Sequence, residues 1–450
     1  MTHILILGSG ARECMIIKKL LNDSKFTIKI TCIGPNKNPY INKHTKLYIS
    51  DLNTLNIKNL INIIVKPDYA IIGPENLLKL GISDLLESFN IPCIGPLQLY
   101  SQIETSKIFA RRFIDEIGYS QYSPNYLILK SGNKIVDFLK NSSIKNLVIK
   151  KDGLHGGKGV LVQGIDFDHI NEIEDSFKNI DENILIEEKL VGEEFSLMSI
   201  SDGNGNIAHF PPIKDYKRLK NNDFGPNTGS MGCFIDKNNT LPFLNQNDIK
   251  LGKTINTKVI NKLNEYGKKN NCKIGYRGIL YGSYLKTNDG KIYIIEFNSR
   301  FGDPEGIIAL NLLESNFFNI CNKMINGNLK NDLEFHKKAM IGIYLVPKTY
   351  PNKSHDKHDI YISENLNTSQ LIYGSVEEKE NHLYSLSSRS LFYFIEDDDL
   401  SICFTKIYNQ IKNIVGYFHY RNDIGSKYIN SYDSVGVSIE PFSIEINNIK

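Results

Sequence analysis

Residues 291–305, which read KIYIIEFNSRFGDPE, combine a short apolar run with a line of polar groups. The apolar run lies between Asp-Gly and Gly-Asp-Pro, which predicts a buried strand. Because side chains alternate between the two faces of a strand, Glu296, Asn298 and Arg300 share one face. A carboxylate, an amide oxygen and a guanidinium suit a hard cation and a phosphoryl oxygen, so the stretch predicts a site for metal-bound nucleotide phosphates. The alternative is a half-exposed edge strand with a salt bridge.

The composition is that of an ordinary globular protein. The chain has 450 residues, of which 41% are hydrophobic and 23% charged, and its formal net charge is +3. This length predicts roughly two to four compact units, and so small a charge does not favour nucleic acid or a membrane surface as a partner. The 7 cysteines are scattered without a CxxC or metal-finger spacing, which favours reduced thiols in the cytoplasm. An apolar strand begins almost at once, so we expect no signal peptide, and no apolar run reaches the ~18 residues of a membrane span.

The first 21 residues predict a strand, a glycine turn and a helix. Gly8 and Gly10 allow a tight turn and leave backbone N–H groups at the start of the helix, where an anion is favoured. A dinucleotide is not favoured, because Glu13 stands where GxGxxG needs its third glycine. A phosphate of another molecule fits better, and a turn that only joins strand to helix is the alternative.

A further predicted strand, residues 69–72, leads into Gly-Pro-Glu at the same edge of a parallel sheet. Ligands of open α/β sheets gather beyond the carboxyl ends of the strands. Arg12, Glu13 and Glu75 could therefore line one pocket.

Two glycine-rich loops follow in the middle of the chain. Residues 152–162, DGLHGGKGVLV, place Lys158 among glycines after a strand that ends at Lys150, which suits a loop that folds over phosphates. Residues 225–232, GPNTGSMG, are typical of a loop that approaches a ligand closely. A flexible hairpin and a long surface turn are the alternatives.

A strand at residues 184–188 precedes Leu190, Glu193 and Glu194. Backbone groups at the end of such a strand can bind an adenine edge, and a carboxylate a few residues later can bind ribose hydroxyls. Either glutamate could instead be plain surface charge.

The character of the sequence changes near residue 339. A strand at residues 340–346 is followed by the polar segment 347–358, which we expect to be an exposed loop. More short strands come after it. This pattern predicts a separate α+β unit with little chemistry of its own.

With these motifs in place, the chain resembles the phosphoribosylamine–glycine ligase family of the ATP-grasp superfamily over nearly its whole length. The resemblance is carried by KDGLHGGKGV, by DYKR followed by DFGPNTGSMG, and by EFNSRFGDPE, with GSGARE, GPE and YRNDIG in support. It implies a multidomain α/β and α+β fold. The implied parts are an α/β parallel-sheet domain for the amine substrate at 1–103, an ATP-grasp core at 104–332 with a mobile lid at about 121–191, and an α+β domain at 333–450.

The resemblance also implies a set of site residues. ATP is expected at Lys107, Lys150, Lys158, Glu187, Leu190 and Glu194, with Glu187 and Leu190 acting through their backbone and Glu193 a second choice for the ribose. Mg²⁺ or Mn²⁺ is expected on Glu296 and Asn298. Catalytic roles are expected for Arg300, Lys158 and Asp215. The other substrates are expected at Gly10, Arg12, Glu13, Glu75, Asn227, Thr228, Gly229 and Asp303.

The family reaction joins glycine to 5-phosphoribosylamine through a glycyl phosphate, and converts ATP to ADP and phosphate, in de novo purine synthesis. The implied partners are therefore small molecules, with no nucleic acid and no membrane, and the implied state is a monomer or a weak dimer. Two alternatives remain open: another ATP-grasp carboxylate–amine ligase with a different acid or amine, and a non-catalytic nucleotide-binding descendant.

Four positions depart from the family pattern. The family usually has His at Cys14 and at Tyr216, Gly at Ser230 and Cys at Ser299. We expect phosphate binding through backbone N–H groups to survive the change at Cys14, and Tyr216 to reshape the substrate pocket.

Overall fold

The amino-terminal part forms the predicted parallel sheet. The computed structural model describes residues 1–24, 28–130, 137–139, 146–155, 159–173, 183–352, 354 and 356–429. The sheet has the strand order β3, β2, β1, β4, β5, and β1 and β4 are buried along their whole length, which is why both read as continuous apolar runs. Its strands are β1 (His3–Leu7), β2 (Lys29–Gly34), β3 (Lys46–Ile49), β4 (Tyr69–Ile72) and β5 (Cys93–Ile94). The helices up to residue 116 are α1 (Ala11–Asp23), α2 (Pro39–His44), α3 (Thr54–Ile63), α4 (Glu75–Lys79), α5 (Ile82–Ser88), α6 (Gln98–Thr105) and α7 (Lys107–Glu116).

A small antiparallel sheet, which we call the lid sheet, lies within the predicted lid region. Its strands are β6 (Tyr126–Leu129), β7 (Leu147–Lys151), β8 (Val160–Val162) and β9 (Ile184–Glu188), in the order β6, β9, β7, β8. Ile149 and Ile186, which are paired across β7 and β9, are buried in a small hydrophobic core of their own.

A large sheet forms the centre of the molecule. Its order is β16, β15, β10, β11, β14, β17, β22, β19, with β24 paired to β17. The strands are β10 (Gly192–Asp202), β11 (Ile207–Asp215), β14 (Gly232–Ile235), β15 (Arg277–Thr287), β16 (Ile292–Asn298), β17 (Ala339–Pro347), β19 (Leu371–Tyr373), β22 (Leu391–Asp397) and β24 (Phe418–His419). A separate hairpin consists of β12 (Arg218–Lys220) and β13 (Phe224–Asn227). The helices after the lid are α8 (Gln246–Lys269), α9 (Glu305–Leu312), α10 (Phe317–Asn326) and α11 (Leu400–Ile411).

Two layers of hydrophobic core lie on opposite faces of the large sheet. Leu197 and Met198 are neighbours on β10, yet they belong to different buried clusters. Since successive side chains of a strand point to opposite faces, the sheet separates the two clusters. None of the described helices is both long and apolar enough to span a membrane.

The carboxyl-terminal part is joined to the large sheet and is not a separate layer. Strand β17 pairs with β14 in register from Gly232↔Ile343 to Ile235↔Met340, so the sheet crosses the predicted boundary at residue 332. The remaining strands of this part are β18 (His358–Ile362), β20 (Val376–Lys379), β21 (His382–Ser385) and β23 (Ile414–Gly416), and they form a small sheet in the order β20, β21, β18, β23. The carboxyl-terminal part thus has a small sheet of its own and also adds β17, β19, β22 and β24 to the large sheet.

Candidate active site

A single cavity of about 1070 Å³ brings most of the predicted site residues together. Small-molecule pockets commonly measure about 300–1,000 Å³, so this one has room for a nucleotide and a second small substrate. Gly10 and Glu13 do not line it. The predicted residues that do line it are Arg12, Glu75, Lys107, Lys150, Glu187, Leu190, Glu194, Asp215, Asn227, Thr228, Gly229, Glu296, Asn298, Arg300 and Asp303.

Strand β16 presents its polar groups to the cavity although it is an edge strand. The pairing of β16 with β15 is irregular between Ser283 and Tyr284, and beyond this point Glu296 pairs with Ser283 and Asn298 with Tyr281. Ile294 and Phe297 are buried, whereas Glu296 and Asn298 are half-buried and line the cavity. The edge-strand alternative was therefore right about the position in the sheet, and the predicted shared polar face is confirmed.

Arg111 holds the free edge of β16, and sequence reasoning missed it. Its Nη1 and Nη2 donate to the carbonyl oxygens of Ile294 and Ile295 at 2.9 and 2.8 Å. Its Nε donates to Oε1 of Glu187 at 2.5 Å. Arg111 lies four residues after Lys107 on α7, and residues at this spacing share one face of a helix, so this spacing was the available signal.

Glu187 organises the cations on the lid side of the cavity. In addition to Arg111, it pairs through Oε2 with Nζ of Lys150 at 2.6 Å. Burial alone would raise the pKa of Glu187, but Arg111 and Lys150 lower it to about 2. The carboxylate therefore stays ionised and fixes the side chain of Lys150, in addition to the backbone role predicted for this residue.

The loop after β7 packs against the start of α7. Lys107 donates to the carbonyl oxygen of Gly153 at 2.7 Å, and Asp152 accepts from Ser106 Oγ at 3.0 Å. Burial lowers the pKa of Lys107, an effect that Glu296 opposes. Lys158 lies outside the described residues, so its predicted role stays a prediction.

Glu296 has the character of a metal ligand. Its carboxylate has no hydrogen-bond or ion-pair partner within the part of the chain that the structure describes. Burial alone would raise its pKa, but Lys217, Lys150 and Lys107 hold the pKa below its usual value, so the group is ionised. Among the described residues, Asn298 Oδ1 accepts one weak hydrogen bond, from Arg300 at 3.3 Å.

The oxygens of Glu296 and Asn298 would suit Mg²⁺ or Mn²⁺ that is bound partly by phosphate and water, and they do not form an all-protein metal site. Among the described residues, no group of three or more His, Cys, Asp or Glu side chains is arranged to hold a metal ion. Mg²⁺ in nucleotide sites is usually bound by one or two carboxylates together with phosphate oxygens and water. The residues present match that pattern.

The two glutamates at the start of β10 have different partners. Glu193 pairs with Lys214 at 2.8 Å and accepts from Tyr428 Oη at 2.6 Å, and Lys427 also contacts it. Glu194 pairs with Lys217 at 2.7 Å. Because three groups already hold Glu193, Glu194 remains the better candidate for a ribose.

Asp215 is a buried carboxyl group at the end of β11. Burial raises its pKa to about 7, with Lys217 opposing and Glu305 adding to the shift. Glu305 is buried as well and accepts a hydrogen bond from Tyr281 Oη at 2.7 Å. Asp215 can therefore exchange a proton near neutral pH.

The amino-terminal glycine turn uses Glu13 as a structural group. Oε2 of Glu13 accepts from the Gly10 N–H and Oε1 accepts from Arg12 Nε, both at 2.8 Å. A Cβ atom on Gly73 would lie 1.9 Å from Glu13 Oε1, so only glycine fits there. The structure thus points Glu13 into the turn, while Arg12 and Glu75 line the cavity.

The carboxyl-terminal part contributes directly to the cavity, which corrects the expectation that it carries little chemistry. Arg389 donates to the Asp303 carbonyl oxygen at 2.6 Å, pairs with Asp303 Oδ2 at 2.7 Å, and also donates to the Gly229 carbonyl oxygen. Its guanidinium lies 4.6 Å from the ring centre of Tyr344. We call Arg12, Glu75, Gly229, Asp303 and Arg389 the junction group, because they come from three parts of the chain.

Tyr350 lies in the segment predicted to be an exposed loop. Its Oη accepts from the Gly229 N–H at 3.1 Å, and the residue lines the cavity. The expectation of a purely exposed loop at 347–358 is therefore wrong at this position.

The four residues that depart from the family pattern have different surroundings. Cys14 is fully buried and burial raises the pKa of its thiol to about 12, so it acts as an apolar side chain. Tyr216 accepts a hydrogen bond from the Gly425 N–H at 3.0 Å and stacks under Arg421. Ser230 has φ of 91°, a region that favours glycine, and Ser299 donates to Glu104.

The fold and the site together define an ATP-grasp enzyme, in which a lid sheet and a core sheet enclose lysines and oxygen ligands. Residues 2–104 match the family model for the N domain of phosphoribosylglycinamide synthetase, and residues 105–306 match the model for its ATP-grasp (A) domain. The chain belongs to the phosphoribosylamine–glycine ligase family.

Named relatives agree with this assignment. Phosphoribosylamine–glycine ligase of Methanocella arvoryzae is 33% identical over 94% of this chain and 96% of its own. The Methanococcus maripaludis enzyme of the same name is 34% identical over the same shares. The crystal structure of phosphoribosylamine–glycine ligase from Thermotoga maritima is similar in fold, with a TM-score of 0.77 and 24% identity over 94% of this chain and 100% of that one.

Proposed function

We propose that this chain joins glycine to 5-phosphoribosylamine with ATP, and forms glycinamide ribonucleotide, ADP and phosphate in purine synthesis. The observation that carries the proposal is the cavity itself. Glu296 and Asn298 of β16 line it together with Lys107 and Lys150, and Arg12 and Arg389 of the junction group line the same cavity. Membership of the family supplies the identity of the substrates.

The chain's own residues meet the needs of phosphoryl transfer by charge and position. The glycine carboxylate attacks the γ-phosphate of ATP to give glycyl phosphate, and the amine of phosphoribosylamine then displaces phosphate. Lys107, Lys150 and Lys158 bind the nucleotide phosphates, and Glu187 keeps Lys150 in place. Arg300 stabilises the charge that moves between the reacting groups. Neither step requires a protein nucleophile.

Mg²⁺ or Mn²⁺ would be held by Glu296 and Asn298, and would neutralise phosphate charge there. Glu194 and the backbone of Glu187 and Leu190 bind the nucleoside. Asp215, with a pKa of about 7, accepts the proton that the amine loses as it attacks.

The remaining substrates belong at the other end of the cavity. Arg12, Glu75, Asn227, Thr228, Gly229 and Asp303 line the region that we assign to phosphoribosylamine and glycine. Gly10 and Glu13 shape the turn that carries Arg12. Arg389 and Tyr350 join this set because they hold Gly229 and Asp303.

The same proposal covers domain organisation, location and assembly. It places the amine-substrate domain at 1–103, the ATP-grasp domain at 104–332 with a mobile lid at about 121–191, and the carboxyl-terminal domain at 333–450. The proposal also holds that the chain is cytoplasmic and is a monomer or a weak dimer. All 7 cysteines are free thiols, as a reducing compartment requires.

The deciding experiment measures ADP release by the purified chain with glycine and freshly made phosphoribosylamine, and with each omitted in turn. We expect sustained ADP release only with both substrates, and glycinamide ribonucleotide as the product by mass spectrometry. A different acid or amine that supports faster release would favour another ATP-grasp ligase. Nucleotide binding without turnover under every condition would favour the non-catalytic alternative.

Repeating the assay with Mg²⁺ and Mn²⁺ identifies the preferred metal, and light scattering gives the oligomeric state.

A further inference from the structure

Arg300 lies between two halves of the cavity and is held mainly by charge. Its Nε is 3.3 Å from Glu75 Oε2 and 3.2 Å from Glu104 Oε1. Its Nη groups donate weakly, to Asn298 Oδ1 at 3.3 Å and to the Phe301 carbonyl oxygen at 3.2 Å. The guanidinium therefore connects the junction group, through Glu75, with the oxygen ligands of β16.

Glu104 is a buried carboxylate on the last turn of α6, and no motif marked it. Its Oε2 accepts two hydrogen bonds from Ser299, one from the backbone N–H and one from Oγ, both at 2.8 Å. This arrangement fixes one oxygen to the residue that directly precedes Arg300. The other oxygen, Oε1, faces the Nε of Arg300.

The contact between Glu104 and Arg300 is an ion pair without hydrogen-bond geometry. Both Glu104 Oε1 and Arg300 Nε are buried atoms that have no hydrogen-bond partner among the described residues. A guanidinium held in this way can turn toward a ligand, whereas the carboxylate that attracts it stays fixed by Ser299. Without the charge on Glu104, Glu75 would be the ion-pair partner that remains to Arg300 among the described residues.

We infer that Glu104 is a positioning residue that holds Arg300 between Glu75 and the oxygen ligands of β16, where its charge serves phosphoryl transfer. The inference rests on the proposed function. Displacement of a positioned group by about 1 Å can slow a reaction by ~100-fold. Among the described residues, the side chain of Glu104 contacts Ser299 and Arg300 and forms no ion pair with Lys107 or Lys150. We therefore expect Glu104→Gln to lower kcat by roughly 10- to 100-fold and to leave the KM for ATP within about threefold of the unchanged chain.

The test is a double-mutant cycle with Glu104→Gln, Arg300→Met and the double variant, assayed by ADP release at a temperature where all are folded. If Glu104 acts through Arg300, Glu104→Gln will have no further effect on kcat, within about twofold, in the Arg300→Met background. Multiplicative losses in the double variant would overturn the inference. Ser299→Ala is a milder second variant, and we expect it to lower kcat in the same direction by less.

Glu87→Gln is the matched control. Glu87 also accepts a backbone hydrogen bond, from Cys93 at 2.9 Å, and pairs with an arginine, Arg277, but neither residue lines the cavity. We expect this control to lower the melting temperature and to keep kcat within about twofold. An equal loss of kcat in both glutamate variants, or a normal kcat in Glu104→Gln, would contradict the inference. An unchanged chain that releases no ADP with glycine and phosphoribosylamine would instead contradict the proposed function.

Discussion

Glu296 and the junction group differ in how far their charges are already paired with other described residues. The ionised carboxylate of Glu296 has no hydrogen-bond or ion-pair partner among the described residues, although three lysines lower its pKa. In the junction group, Arg389 pairs with Asp303 and Arg12 pairs with Glu13. An ionised carboxylate without a protein partner marks the place of a ligand's charge, whereas a paired arginine chiefly shapes the wall. Substitutions at Glu296 and in the junction group should therefore have different effects on activity and stability.

The largest effect is expected at Glu296. Glu296→Gln removes the negative charge that would bind a metal ion but breaks no hydrogen bond of the described protein, so we expect about a 1000-fold loss of kcat and a nearly unchanged melting temperature. ADP release and thermal unfolding measure the two quantities. Asp289→Asn, in the exposed turn before β16, serves as the control and should match the unchanged chain in both. Near-normal turnover of Glu296→Gln would remove the metal assignment.

At the junction, Arg389→Met should reduce activity and stability together. We expect roughly a 100-fold loss in kcat/KM for phosphoribosylamine, because Gly229 and Asp303 lose the group that holds them. The change also removes the ion-pair partner of the mostly buried Asp303, which keeps only the hydrogen bond from Tyr344 Oη among the described residues, so the free energy of unfolding should fall by about 3 kcal/mol. Urea unfolding and substrate titration test the pair of effects. An Arg389→Met protein as stable as the unchanged chain would mean that Glu296 and the junction group do not differ in their contribution to stability.

The contrast between the residues of β16 and the junction group also explains how much of the site the sequence could predict. Glu296, Asn298 and Arg300 lie on one strand, so their shared face follows from the alternation of side chains. Arg389 is 86 residues from Asp303 and 160 from Gly229, and the pairing of β14 with β17 and of β17 with β22 brings its part of the chain to them. No local pattern contains that information. Glu13 is the reverse case: its motif was visible in the sequence, but the motif does not show that the side chain turns toward Gly10 and Arg12, in the space that Gly73 leaves.

Asp215 should give an intermediate effect that depends on pH. Its pKa is raised from 3.8 to about 7, so the folded protein binds more protons than the unfolded chain between these values, and the free energy of unfolding should fall as pH rises from about 4 to 7. Activity should rise over the upper part of this range if Asp215 accepts the proton of the amine.

Asp215→Asn tests both effects. It should flatten this part of the stability profile and lower kcat by roughly 10-fold or more near pH 7.5. Urea midpoints at pH 5 and pH 7.5, compared between the two proteins, measure the first effect, and pH–rate profiles measure the second. An unchanged pH dependence of stability in Asp215→Asn would show that the carboxyl group titrates normally.

The smallest effect is expected at the ion pair between Asp166 of the predicted lid region and Arg218, which lines the cavity. Asp166, which follows β8, accepts from Nη1 and Nη2 of Arg218 on β12 at 2.7 and 3.2 Å. This pair is partly exposed, so Asp166→Asn should cost only ~1 kcal/mol and raise the KM for ATP by about threefold to fivefold, with kcat nearly unchanged. Asp168→Asn, an exposed position in the same segment, should leave the KM unaltered. A lower kcat with an unchanged KM would instead mean that the ion pair supports the chemical step, as we propose for Glu296 and Arg300, and not the retention of the nucleotide.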